Sequence, residues 1–157
     1  MATFDSTKLP LQDILADIVK GKIQLPDFQR GWVWDDNHIR SLLVSVAKSF
    51  PVGAVMLLET GGETRFQLRG VEGVSPSPDP TTAEQLILDG QQRLTTLTQV
   101  LALKSAVATR TEKGKSIDRH YYWHIPTALN PEASLEDALV SVEPDRKSRT
   151  NFGRDVA

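Results

Sequence analysis

Asp89-Gly90-Gln91-Gln92-Arg93 gathers a carboxylate, a glycine, two amides and a guanidinium in consecutive positions, which makes it the stretch best equipped for chemistry. Gln85 to Leu88 before it predicts a short buried strand. The residues after it predict a helix, with Leu94, Leu97 and Leu101 recurring at spacings of three and four. A strand that turns directly into a helix points the helix's unpaired N–H groups beyond the strand end, where an anion such as phosphate can sit. Gly90 would let a ligand approach the backbone. The plainer reading is a capped helix, because Asp89 at the N-cap puts Gln92 at the third helical position, the capping-box spacing. That reading leaves Arg93 unaccounted for, since the helix dipole disfavours a cation in the first turn by roughly 0.3–1 kcal/mol. An anion between Arg93 and the N–H groups would reverse the sign.

A second group of chemically able residues lies in Asp27-Phe28-Gln29-Arg30, between Pro26 and the tryptophans Trp32 and Trp34. Arg30 has no helical mate four residues on, although a surface arginine needs none. Trp34 reads as packing: with Asp35 as N-cap of the next helix, Trp34 and Ile39 have hydrophobic-staple spacing. His120 and His124 invite a metal reading, but four residues of strand would separate them by roughly 13 Å, too far to share an ion. Gly114-Lys115-Ser116 superficially resembles the end of a P-loop. The pattern fails because Thr109 stands where that motif needs glycine and no strand is predicted before it.

Asp89 to Leu97, preceded by Leu25-Pro26-Asp27-Phe28-Gln29-Arg30-Gly31-Trp32-Val33-Trp34 and by Phe50-Pro51-Val52-Gly53, resembles the N-terminal domain of the GmrSD-type restriction proteins. The likeness covers about Ile23 to Leu103, and its DGQQR element is the most specific part. It implies an α+β fold similar to that of ParB and sulfiredoxin, a small mixed sheet flanked by helices. It also implies nucleotide binding with hydrolysis, in a bacterial defence system that attacks modified foreign DNA. In that family the segment around Arg30 faces the DGQQR turn, so Arg30 and Arg93 would clamp one phosphate, and Gln29 and Gln91 could orient a base, a ribose or a water. The implied nucleotide-binding set is Phe28, Gln29, Arg30, Gly90, Gln91, Gln92, Arg93 and Thr95, with Asp89, Gln92 and Arg93 as the catalytic candidates. Phe28 stands where many members have tyrosine, so stacking survives there but hydroxyl chemistry does not. The implied ligand is a nucleoside triphosphate, GTP or ATP, with Mg²⁺ as a candidate companion; Asp89 would either cap the helix or hold that ion through water. The alternative is a DNA-reading module that binds backbone or modified phosphates without hydrolysis. Family members often continue into a nuclease domain, and this sequence carries no nuclease motif of its own.

The elements that must hold these residues follow from patterning. Thr7 to Lys20 and Asp36 to Ser49 predict amphipathic helices, the first through Leu11, Ile14, Leu15 and Ile18, the second through Ile39, Leu42, Leu43, Val46 and Phe50. Val52 to Glu59 predicts a central strand, with Thr64 to Leu68 as its hairpin partner. Gly70 to Thr82, with Pro76, Pro78 and Pro80, predicts a surface loop or lid, and Thr109 to Asp118 a polar loop. Arg119 to Ile125 predicts a strand with Tyr121, Trp123 and Ile125 on one face. Residues 1–125 are expected to form the nucleotide-binding domain. Residues 126–157 are expected to begin a C-terminal extension, with a short helical patch at Ser134 to Leu139 and a continuation beyond the chain.

The 157 residues are one domain's worth of chain, 39% apolar and 24% charged, which excludes a wholly disordered or fibrous protein. The absence of cysteine removes disulfides, thiolate metal sites and cysteine nucleophiles, sulfiredoxin chemistry included. A net charge of −2 offers no global attraction to nucleic acid, so any DNA contact must come from a local patch or another domain. No membrane span or signal peptide is predicted, and a soluble, cytoplasmic protein is expected.

Overall fold

The computed structural model describes residues 7–29, 33–61, 66–111, 113–145, 149–150 and 155–156. Helix α1 (Leu11–Val19) buries Leu15 and Ile18, as its spacing predicts, and leads into strand β1 (Ile23–Pro26), which is buried along its whole length. Helix α2 (Asp36–Ala47) starts where expected: Asp35 is the N-cap and its side chain accepts from the His38 N–H. Trp34 packs against the same core as Ile39, the two ends of the predicted staple. The helix is shorter than predicted at its other end. Ser49 takes a φ of 56°, which turns the chain before Pro51 and leaves Phe50 59% exposed instead of on the buried face.

Strand β2 (Met56–Glu59) is half as long as predicted, and it is an edge strand. The sheet runs in the order β2, β4 (Gln85–Asp89), β1, β3 (Leu68–Arg69), with β1 parallel to β4 and the other pairs antiparallel. The expected hairpin is corrected accordingly: β3 pairs with β1, through Leu25 with Arg69 and Pro26 with Leu68. Residues 62–65, which include the first two positions of the predicted partner strand, lie outside the described residues. Apolar content alone predicted a central place for 52–59. The buried positions of the sheet are instead filled by Leu25, Leu86 and Ile87.

The proline-rich segment is pinned to the body. Val71 is buried, a single 3₁₀ turn forms at Pro80–Thr82, and the fully buried Gln24 donates Nε2 to the carbonyls of Gly21 (2.9 Å) and Asp79 (2.8 Å). Helix α3 (Gln91–Leu97) follows β4 and runs into a π-helical turn over Thr98–Ala102, where Leu103 N–H reaches back to the Thr98 carbonyl at 2.9 Å. A turn wider than 3.6 residues rotates everything after it. Leu101, expected to share the buried face of Leu94 and Leu97, is therefore 43% exposed, while Thr98 and Gln99 are buried.

The predicted loop at Thr109 to Asp118 holds more structure than expected. Strand β5 (Val107–Arg110) and strand β6 (Ser116–Trp123) form an antiparallel hairpin, tightened by Thr111 N–H to the Lys115 carbonyl at 2.9 Å. Alternation along β5 buries Val107 and Thr109, a two-residue period too short to stand out beside the charged turn. Tyr121 and Trp123 pack against the core as predicted, whereas Ile125 has left the strand for the short helix α4 (Ile125–Ala128) and is exposed. Ser134 caps helix α5 (Leu135–Ala138), which passes directly into strand β7 (Leu139–Val142), paired antiparallel with β6. The boundary expected after residue 125 thus falls between two strands of one sheet, and Leu139 sits in the same core as Ile18 and Leu94. Strands β8 (Arg149–Thr150) and β9 (Asp155–Val156) pair with each other. The whole is an α+β fold, a mixed four-stranded sheet and a three-stranded antiparallel sheet flanked by helices.

Candidate functional site

The turn between β4 and α3 has the predicted strand-to-helix form but a different cap. Gly90 is the N-cap residue, at φ 86°, and no side chain caps the helix. This left-handed backbone favours glycine, and a Cβ there would come within 3.0 Å of Val55 Cγ2. Asp89 is the last residue of β4, paired with Met56, so it caps nothing, and Gln92 is the second helical residue instead of the third. The capping box is thereby corrected. The first intrahelical bond joins Leu94 N–H to the Gly90 carbonyl at 3.0 Å, which leaves the N–H groups of Gln91, Gln92 and Arg93 without intrahelical acceptors. The side-chain Nε2 of Gln91 is also buried without a hydrogen-bond partner.

Arg93 has an internal explanation that its sequence position conceals. Its guanidinium reaches across to the loop before β2 and donates to the carbonyls of Val52 (2.7 Å) and Ala54 (2.8 Å). The Asp89 carboxylate stands 3.6 Å from Nη2, itself 72% exposed. The guanidinium lies against Gly53, at φ 94°, where any Cβ would overlap Arg93 Nη1. The unfavourable dipole position is thus offset by two carbonyls and a carboxylate, and no anion is needed to account for the residue. The glycine of Phe50-Pro51-Val52-Gly53 is what allows the guanidinium to lie against the loop.

The segment carrying Phe28 and Gln29 does face the turn. Gln29 Nε2 donates to the carbonyls of Ile87 (2.8 Å) and Leu88 (2.9 Å), at the end of the strand that delivers Gly90. Phe28 is 62% exposed, its ring 5.5 Å from that of Phe66. Arg30 lies outside the described residues, so the two-arginine clamp has one described member, Arg93. Thr95 is turned toward Glu72, its Oγ1 3.4 Å from Glu72 Oε2.

Two residues that sequence reasoning passed over complete this region. Arg69 donates Nη2 to the Gln29 carbonyl (2.8 Å) and Nη1 to Glu72 Oε1 (2.8 Å), and the Glu72 backbone carbonyl accepts from Gln99 Nε2 (3.1 Å). A polar chain Gln29–Arg69–Glu72–Thr95 therefore ties β1's end to α3. Its only signal in the sequence is an arginine and a glutamate three apart among glycines, Arg69-Gly70-Val71-Glu72-Gly73.

Among the described residues no group of three or more His, Cys, Asp or Glu could hold a metal ion. Asp89 offers one exposed carboxylate with an arginine beside it, which does not make a Mg²⁺ site of the chain's own residues. His120 stacks near Tyr122, and His124 bonds Thr127 Oγ1 at 2.7 Å. No described helix is long and apolar enough to cross a membrane.

Fold and turn together define a mixed α+β domain that presents an uncapped strand–glycine–helix junction at one end of its sheet. The model of the GmrSD restriction endonuclease N-terminal domain matches residues 11–153, and the chain belongs to that family of restriction-system proteins. It is also 34% identical over 91 residues to the uncharacterized protein MJ0686 of Methanocaldococcus jannaschii, an alignment covering 55% of this chain and 16% of the relative. The match thus spans about a sixth of that relative's length.

Proposed function

We propose that this chain is the nucleotide-binding, and hydrolysing, domain of a restriction or phage-defence protein that acts on modified DNA. The observation that carries the reading is the uncapped amino end at Gly90: N–H groups of Gln91 to Arg93 without intrahelical acceptors, next to a buried Gln91 amide with no partner. Donors without acceptors at a helix start fit a ligand rich in acceptors, and a phosphate supplies both oxygens and negative charge. Exposed Phe28, carried by the segment that Gln29 holds to the turn, is suited to stack on the base. A fold of the ParB and sulfiredoxin type belongs to the same reading.

In this mechanism the backbone N–H groups after Gly90 hold the terminal phosphate. Arg93, with donors to spare beyond Val52 and Ala54, fixes the loop that walls the site and contributes its charge. Gln92, free of capping duty, and the exposed Asp89 are the groups available to orient an attacking water. As that water bonds to the terminal phosphorus, the bond to the bridging oxygen breaks, the nucleoside diphosphate leaves with the electron pair, and the water's proton passes by way of a phosphate oxygen to solvent. No covalent intermediate is involved, so rate enhancement comes from positioning and charge stabilisation.

The test is a thermal-shift panel of ATP, GTP, CTP and UTP with and without Mg²⁺. A triphosphate at 100 times its dissociation constant should stabilise the fold by about 2.7 kcal/mol, and Gln91→Ala should reduce that shift. No shift with any of the four removes the reading.

A further inference from the structure

A cleft of about 930 Å³ lies apart from the Gly90 turn. It lies where the amino end of α2 meets the β5–β6 hairpin, joined there by Arg110 N–H to the Trp34 carbonyl at 3.1 Å. Four cations, Arg110, Lys113, Lys115 and Arg119, and two carboxylates, Asp35 and Asp36, line it. Both carboxylates are already engaged. Asp35 accepts from the His38 N–H and sits 2.9 Å from His38 Nδ1; Asp36 accepts from the Tyr121 hydroxyl at 2.8 Å, with Arg119 Nε at 4.0 Å. Arg119 is further used by Ser141 Oγ at 3.2 Å.

Arg110, Lys113 and Lys115 are different: among the described residues none has a side-chain partner, and the two lysines are exposed on the hairpin turn. Glu112, between them in sequence, lies outside the described residues, so the stretch 110–115 carries three cations to one carboxylate. Hydrogen bonds within the turn, Gly114 N–H to the Thr111 carbonyl at 2.8 Å among them, hold these like charges together. The repulsion this entails is relieved by a polyanion.

We propose that this cleft is a binding site for the sugar–phosphate backbone of nucleic acid, with Arg110, Lys113 and Lys115 each taking a phosphate. Projecting lysines on a turn act as point charges that read no base, the usual chemistry of backbone contacts. Nucleic-acid contact and the Gly90 turn are then separate surfaces, which matches Arg93 being turned inward onto Val52 and Ala54. The two readings stand independently.

The experiment is fluorescence anisotropy of the whole chain with a labelled 20-base-pair unmodified DNA duplex, titrated at several salt concentrations. Three backbone contacts predict a log–log salt slope of about −2.7. The triple variant R110Q/K113Q/K115Q should flatten that slope toward zero, with at least a tenfold loss of affinity at low salt and an unchanged melting temperature. K115E alone should weaken binding as well, and K8Q/K20Q, away from the cleft, should bind like the parent. A parent that does not bind, or a triple variant with the parent's slope, overturns the proposal. So does a triple variant that keeps its DNA affinity but loses the thermal shift with triphosphates. Absence of any triphosphate shift in the parent defeats the nucleotide reading and leaves this one standing.

Discussion

Arg93 and Gly53 can be tested as a single mechanical unit. Arg93→Ala removes two charge-assisted hydrogen bonds, to the carbonyls of Val52 and Ala54. Each such bond is worth roughly 1.5–3 kcal/mol when well buried. The guanidinium is 21% exposed and Ala54 lies at the surface, so water repays part of the loss and each bond falls below that buried range, to about 1 kcal/mol, or about 2 kcal/mol for the pair. Gly53→Ala strains a backbone at φ 94°, a cost of roughly 1–2 kcal/mol. Its new methyl also displaces the guanidinium, forfeiting the same two bonds, so this variant should lose about 3–4 kcal/mol. In the double variant the methyl meets no guanidinium. The total should again be about 3–4 kcal/mol, not the 5–6 of simple addition, a coupling of about 2 kcal/mol.

Urea denaturation of the four proteins measures the cycle, and a melting-temperature series gives a second reading at roughly 2–4 °C per kcal/mol for a domain of this size. If the two losses add within about 0.5 kcal/mol, the guanidinium does not rest on Gly53 and the account of Arg93 as a clamp is wrong. A melting temperature unchanged by Arg93→Ala would refute it more directly.

Gln29→Glu should destabilise more than Gln29→Ala, because a carboxylate would face the Ile87 and Leu88 carbonyls that the amide now serves; a difference of roughly 1–3 kcal/mol is expected in chemical denaturation. Asp35→Ala should cost about 1 kcal/mol through the lost cap on α2, with Asp35→Ser restoring most of it in the same assay. Hydrogen bonds from the His38 N–H and then its side chain hold the Asp35 carboxyl below its ordinary range. Its contribution is therefore complete above the ordinary carboxylate range and lost as pH falls through the depressed folded value, so the parent's advantage over Asp35→Asn should shrink in acid. Leu94→Ala, at a 2% exposed core position, should cost about 2–5 kcal/mol in a thermal melt.

The domain is built so that one strand end serves several masters. β4 delivers Gly90, its last carbonyls receive Gln29, and the helix it opens sends Arg93 back to the loop preceding β2. Arg69 and Glu72 then secure Gln29 and Thr95 from the other side. Such cross-bracing ties the uncapped helix end to β1, β4 and the loop before β2.

What the sequence determined by itself is whatever depends on neighbours along the chain. The face of α1, the Ile39, Leu42 and Leu43 part of the α2 face, the Asp35 cap, the strand ahead of Gly90 and the helix after it are all set by spacing within a few residues, and the structure has them. The family was legible for the same reason, since the stretches that carry the resemblance are short and contiguous. Tertiary structure decided the rest, because those outcomes turn on partners far away in sequence. β3 chose β1 over β2, β2 became an edge, β7 joined β6, and Arg93 found acceptors some forty residues upstream. Leu101 was turned outward by a wide helical turn that no periodicity announces. Gly90 as N-cap instead of Asp89 follows from a backbone angle only glycine holds easily, at a place where a Cβ would crowd Val55.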